Sequence, residues 1–215
     1  MNSRVNLRHW ALLTLVCSIA LPHDKVIRKY LVSHLKLCSA DVISEEGKFA
    51  RFAEKCLFKT MNSRRRQWSP SAQEILCTIS RRLIYARIYL MDGAFHAIEF
   101  EPTGTANDVI EIIKNRIGLR STSQGFALYE VLGDVERSLV SDEKLTDVMG
   151  KWERYRSSGA QQQTQQHHAF LFKKHLFLDQ YINLSDPVEK ELIYFQMLHS
   201  IRVDRFPITE MEAVR

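Results

Sequence analysis

The chain has 215 residues, enough for one large domain or two smaller ones, and its 45% hydrophobic content supports a packed core. The formal net charge of +5 is unevenly placed: residues 1–85 hold 15 Lys and Arg against 6 Asp and Glu (+9), and residues 86–215 hold 15 against 19 (−4). This imbalance argues against a single uniformly charged domain and predicts an anionic partner for the first half.

Arg4 and Arg8 precede WALLTLVCSIAL, an apolar run that would also pass as the core of a secretory leader. It is shorter than the roughly 20 residues a membrane span needs. A buried helix over residues 7–21, stopped by Pro22, is the preferred reading, with a secreted disulfide protein as the alternative. Cys17, Cys38, Cys56 and Cys77 stand among apolar neighbours with no CxxC pair, which points to buried free thiols in a reducing compartment and away from zinc.

Three more helices follow. DKVIRKYLVSHLKL repeats Val26, Ile27, Tyr30, Leu31 and Leu35 at helical spacing. EEGKFARFAEKCLFK places Phe49, Phe52, Ala53, Cys56 and Leu57 on one side and Lys48, Arg51, Lys55 and Lys59 on an adjacent one. This basic face leads into Arg64, Arg65 and Arg66; the plain alternative is a solvated surface. In Ser71-Ala72-Gln73-Glu74 the Ser71 hydroxyl and Glu74 carboxylate are spaced as a capping box, with Pro70 and Ile75 as a staple.

At Ala86 the period changes to two. Residues 86–102 read as a hairpin with Asp92-Gly93 at the turn. Thr105-x-x-Asp108 caps a helix carrying Val109, Ile112, Ile113 and Ile117 inward and ending at Gly118, and GFALYEVL is a further strand. Residues 134–154 read as loop-rich and residues 159–168 as a polar loop, where His167-His168 is too isolated to be a metal site. AFLFKKHLFL is a strand, and Asp186-Pro187 opens a helix to about residue 200. Thr209-x-x-Glu212 looks like another helix start, so a fragment of a longer protein is expected. Such a fragment should expose apolar residues such as Phe195 and Met197.

Strand–turn–strand–helix–strand is the order of a β-grasp, ubiquitin-like lobe. The expected fold is therefore mixed: an all-α bundle over residues 1–85, an α+β ubiquitin-like lobe over 86–178, and the start of a helical lobe over 179–215. The catalytic motifs sought are missing. There is no P-loop, Rossmann fingerprint, G-x-S-x-G or H-E-x-x-H. Glu99 and Glu101 lack an acid/base partner, and the histidines are scattered. No enzyme activity, cofactor or metal is expected.

The motifs together resemble a tail module of unconventional myosins, a myosin-tail homology 4 (MyTH4) domain followed by a FERM domain and truncated at both ends. The resemblance rests on His9-Trp10-Ala11-Leu12-Leu13, Tyr30-Leu31-x-x-His34-Leu35 and Ser69-Pro70-Ser71-x-x-Glu74, where the family has Pro-Pro-Ser-x-x-Glu. It continues through Gly125-Phe126-Ala127-Leu128-Tyr129, Asp147-Val148-x-x-Lys151-Trp152-Glu153, Phe172-Lys173-Lys174-x-Leu176-Phe177 and Arg205-Phe206-Pro207. It implies a cytoplasmic, cytoskeletal module that binds cargo or adaptor proteins, reaching actin only through a motor outside this chain. It further implies attachment to microtubules through Lys48, Arg51, Lys55, Lys59, Arg64, Arg65 and Arg66, with Trp10, Pro70, Ser71 and Glu74 structural. A non-motor adaptor with pleckstrin-homology, MyTH4 and FERM domains is the near alternative. A nucleic-acid binder is the remote one, because the arginine run has a lone Trp68 and no recognised nucleic-acid fold.

Overall fold

A computed structural model describes residues 3–157, 168–177 and 185–203. Among them the elements run α1 (Ser3–Ile19), α2 (Lys25–Ser39), α3 (Glu45–Asn62), α4 (Ala72–Ile79), β1 (Ile84–Tyr89), β2 (Phe95–Phe100), α5 (Ala106–Ile117), β3 (Phe126–Leu132), β4 (Val135–Ser138), α6 (Leu145–Ser157), β5 (His168–Lys174) and α7 (Pro187–Arg202). Packing divides the chain into two units. One comprises Met1–Tyr85, Glu99–Asp108 and Val140–Gln165; the other comprises Ala86–Ile98, Val109–Leu139 and Gln166–Arg215.

The core of the first unit joins Trp10 and Cys17 of α1, Leu35 of α2 and Phe49, Ala50, Ala53, Cys56 and Leu57 of α3. These α3 positions recur every three or four residues, so one stripe of the helix is apolar and buries itself against α1 and α2. Trp10 stacks on His34 with ring centroids 6.0 Å apart, joining two of the motifs that carry the family resemblance. On α2 the expected apolar face is only partly used: Leu35 is buried, but Val26, Ile27 and Tyr30 are 57%, 56% and 74% exposed. The helix packs chiefly on α3, and Leu31, Val32, Leu35 and Cys38 occupy that line. Of the four cysteines, Cys17 and Cys56 are buried, whereas Cys38 and Cys77 are half-buried.

The second unit is built on a five-stranded sheet in the order β2-β1-β5-β3-β4, with β1 and β5 parallel and β3 antiparallel to both β4 and β5. This is the β-grasp arrangement. Leu128, Phe170 and Phe172 from the sheet and Val109 and Ile113 from α5 are buried. Gly118, at φ 74°, ends α5 in the left-handed conformation that favours glycine. His168 opens β5 opposite Leu132 of β3, one residue earlier than the strand expected from the sequence. The Asp186 carboxylate caps α7 by accepting from the amides of Val188 and Glu189. Phe195 and Met197 are half-buried, not exposed, and Tyr194 is the residue that faces out at 61%. The Thr209-x-x-Glu212 and Arg205-Phe206-Pro207 motifs and most of the polar 159–168 stretch lie outside the described residues.

The largest difference from expectation is in residues 134–154. They contain a strand, β4, and most of a thirteen-residue helix, α6, in place of a loop-rich stretch. The helix was masked by buried polar residues in its first turn and just before it: Lys144, Thr146 and Asp147 are 3%, 0% and 7% exposed. Charges there read as surface until their partners are known.

Candidate protein-interaction site

Within the first unit, the basic residues of α3 fall into groups with different surroundings. Lys48 pairs with Glu45 of the same helix at 2.7 Å, and Arg51 donates to the Ser39 carbonyl at 3.2 Å. Hydrogen bonds from Lys48 and then Arg81 hold the Glu45 carboxyl below the usual carboxylate range. Lys55 pairs with Glu101, and Lys59 with Asp108 at 2.8 Å. Burial pushes the Asp108 carboxyl up, but hydrogen bonds from Lys59 and the Thr105 amide outweigh it and the net shift is downward. Lys59 also borders an open polar cleft of about 420 Å³ lined by Asn62, Thr105, Asn107, Ser141 and Asp142.

Arg64 and Arg65 are exposed, and among the described residues neither is paired with a carboxylate. Arg66 does not share their surface. Its side chain is 7% exposed, and its Nη1 and Nη2 donate to the two Glu74 carboxylate oxygens at 2.5 and 2.6 Å. Its Nε donates to the Trp68 carbonyl at 2.6 Å, and the Asp147 carboxylate stands 3.6 Å away. The run of three arginines therefore splits into two that face solvent and one that is a structural cation.

Glu74 explains the split. Ser71 caps α4 as expected, its hydroxyl accepting from the Glu74 amide at 3.1 Å. The reciprocal half of the capping box is not made, because the Glu74 carboxylate, 1% exposed, turns to Arg66 instead. The Glu153 carboxylate accepts from the Ala72 amide in the first turn of α4. At Thr105 the full reciprocal box does form: Thr105 Oγ1 accepts from the Asp108 amide, and Asp108 accepts from the Thr105 amide. Ser71→Ala is expected to remove about 1 kcal/mol of stability, read as a shift in the urea midpoint; an unchanged midpoint would refute the cap's contribution.

Three groups in α6 and just before it were not legible as site residues. Asp147 accepts from the amides of Gln67 and Trp68 at 2.9 and 2.8 Å, satisfying two donors in a segment with no helix or strand. Gly150 lets α6 approach the same segment: a Cβ there would stand 2.4 Å from the Ser69 carbonyl oxygen. Lys144 Nζ donates to the Ser18 carbonyl at 2.7 Å and to Thr60 Oγ1 at 2.8 Å. Burial lowers the Lys144 pKa to about 8, with the nearby Arg66 charge adding to the effect. The 63–71 segment is thus fastened to α6 by hydrogen bonds, an ion pair and a close backbone approach. Among the described residues no group of His, Cys, Asp and Glu is placed to hold a metal.

Residues 1–77 match the model of the MyTH4 domain and residues 82–176 that of an RA-like domain. The chain also superposes on the MyTH4-FERM MF1 domain of myosin VII from Dictyostelium discoideum with a TM-score of 0.80 at 25% identity, covering 92% of this chain and 41% of that one. The chain belongs to the MyTH4–FERM family. This MyTH4–FERM chain is 29% identical to the myosin-I heavy chain of Dictyostelium discoideum over 208 residues, which is 92% of the chain and 9% of the heavy chain. It is 31% identical to human pleckstrin homology domain-containing family H member 3 over 148 residues, 68% of the chain and 18% of that protein. The MyTH4–FERM chain therefore spans less than a fifth of either curated relative. The arginine–glutamate pair lies at the end of its MyTH4 part, and the Asp147 that completes it comes from the RA-like part.

Proposed function

We propose that this MyTH4–FERM module is the non-catalytic tail of an unconventional myosin, tying an actin-based motor outside these residues to cargo or adaptor proteins. Residues 179–215 would begin the helical second FERM lobe. The match to a myosin VII MyTH4–FERM domain over 92% of the chain carries this reading, and the similarity to a myosin heavy chain supports it. A cytoplasmic, cytoskeletal setting follows from it. No helix among the described residues is long and apolar enough to cross a membrane.

The module also attaches to microtubules, with Arg64 and Arg65 as the leading contacts and Arg51, Lys48, Lys55 and Lys59 as supporting charge. Tubulin's acidic surface suits a half-chain of charge +9 through salt-sensitive attraction. Arg66 is left out because its side chain is buried, 7% exposed, in its pair with Glu74. Arg64→Glu/Arg65→Glu is expected to lower co-sedimentation with microtubules at low salt by about tenfold, the equivalent of roughly 1.4 kcal/mol. Equal pelleting of variant and parent at low and moderate salt would end the microtubule reading.

A second reading is a non-motor adaptor with pleckstrin-homology domains, favoured by the 31% identity to a pleckstrin-homology protein. The coding sequence upstream decides between them: a motor with a phosphate-binding loop supports the first, pleckstrin-homology domains the second.

A further inference from the structure

We propose that Ser69 is a phosphorylation site for a proline-directed protein kinase and that Arg154 receives the phosphate. Of the five prolines in the chain, only Pro70 follows a serine or threonine. Ser69 lies in the segment between α3 and α4, in neither helix nor strand, and is exposed. Its Oγ accepts from Arg154 Nη1 at 3.2 Å at the protein surface.

The two serines of Ser-Pro-Ser have different surroundings. Ser71 is 5% exposed and its hydroxyl is committed to the Glu74 amide, so it is closed to a kinase. Ser69 has its carbonyl against Gly150 while its hydroxyl reaches solvent beside a cation. The chemistry is phosphoryl transfer from ATP. Ser69 Oγ forms a bond to the γ-phosphorus, the bond from that phosphorus to the β,γ-bridging oxygen breaks, ADP leaves, and the hydroxyl proton passes to the kinase's base.

The phosphate adds about two negative charges at neutral pH. Of the charged groups around the segment, Arg66 is neutralised by Glu74, Asp147 is held by the Gln67 and Trp68 amides, and Glu153 by the Ala72 amide. Arg154, whose Nη1 already donates to the Ser69 hydroxyl, is the cation in place to pair with it, in the two-pronged geometry that guanidinium and phosphate favour. Because Arg154 belongs to α6, a phosphoserine at 69 adds a further tie between that helix and the α3–α4 connection.

The test treats the full 215-residue chain with ATP and a recombinant proline-directed serine/threonine kinase, followed by mass spectrometry of the peptides. One phosphate is expected on Ser69, absent in Ser69→Ala. Phosphorylation is expected to raise the melting temperature by about 2–4 °C, and not to raise it in Arg154→Ala. The site is overturned if the folded chain stays unmodified while a free peptide of residues 64–75 is phosphorylated. Arg154's part is overturned if the variant's melting temperature rises as much as the parent's.

Discussion

Arg66→Ala is expected to destabilise the first unit by about 3–5 kcal/mol, the usual cost of removing one partner from a buried ion pair. The deletion leaves the Glu74 carboxylate, 1% exposed, without its two guanidinium hydrogen bonds and near the Asp147 carboxylate. A stranded charge in that position is the source of the loss, more than the attraction given up. The double variant Arg66→Met/Glu74→Leu should therefore recover most of the stability lost in the single one, because it removes both charges and fills the volume. Urea unfolding followed by tryptophan fluorescence reads both variants. An Arg66→Ala midpoint equal to the parent's would show that the pair is not a structural element, and a double variant as unstable as the single would refute the stranded-charge argument.

The second large effect concerns pH. Lys144 has a folded-state pKa of about 8 against an ordinary 10.5, so the folded protein gives up this proton before the unfolded chain does. Stability from this group rises as pH climbs from about 8 toward 10.5, by about 3 kcal/mol in all at roughly 1.4 kcal/mol per pKa unit. Its 3% exposure leaves little solvent to screen the effect. Two buried thiols act in the opposite direction. Burial pushes Cys17 up to about 11 and Cys56 to about 12, so above the ordinary value of 9.0 the unfolded chain loses protons that the folded one keeps. Stability should rise between about pH 8 and 9 and then fall as the two thiols outrun the one amine. Lys144→Met should lack the rise while keeping the fall. Urea midpoints across that range decide it: parallel profiles for the two proteins would overturn the assignment to Lys144.

Much of the fold was legible because its elements carry their signals locally. The apolar stripe of α3, the Thr105 and Asp186 caps and the Gly118 stop each depend on residues within a turn or two of one another. The α2 face was misread because periodicity reports which residues are apolar, not how much neighbouring surface is there to cover them. The cluster of Arg66, Glu74 and Asp147 was the least legible part. Arg66 looked like its two neighbours, and Glu74 looked like half of a capping box, because their pairing crosses a connection with no helical or strand period and its neighbour Asp147 stands 80 residues from Gln67 in the chain. Nothing in a local window marks such a pairing. Lys144 was hidden for the same reason, its partner Ser18 lying 126 residues away.

The fastening of residues 63–71 to α6 also sets the order in which the protein can mature on the ribosome. Although the first eighty-odd residues read as a bundle of their own, the Gln67 and Trp68 amides and the Arg66 guanidinium cannot take up their full set of contacts until Asp147 has been synthesised. Domains are generally completed from the amino-terminal end during synthesis. Here the segment over residues 66–68 gains its last contacts only after residues well into the next domain have cleared the exit tunnel, although the apolar core of the bundle is complete by Leu57.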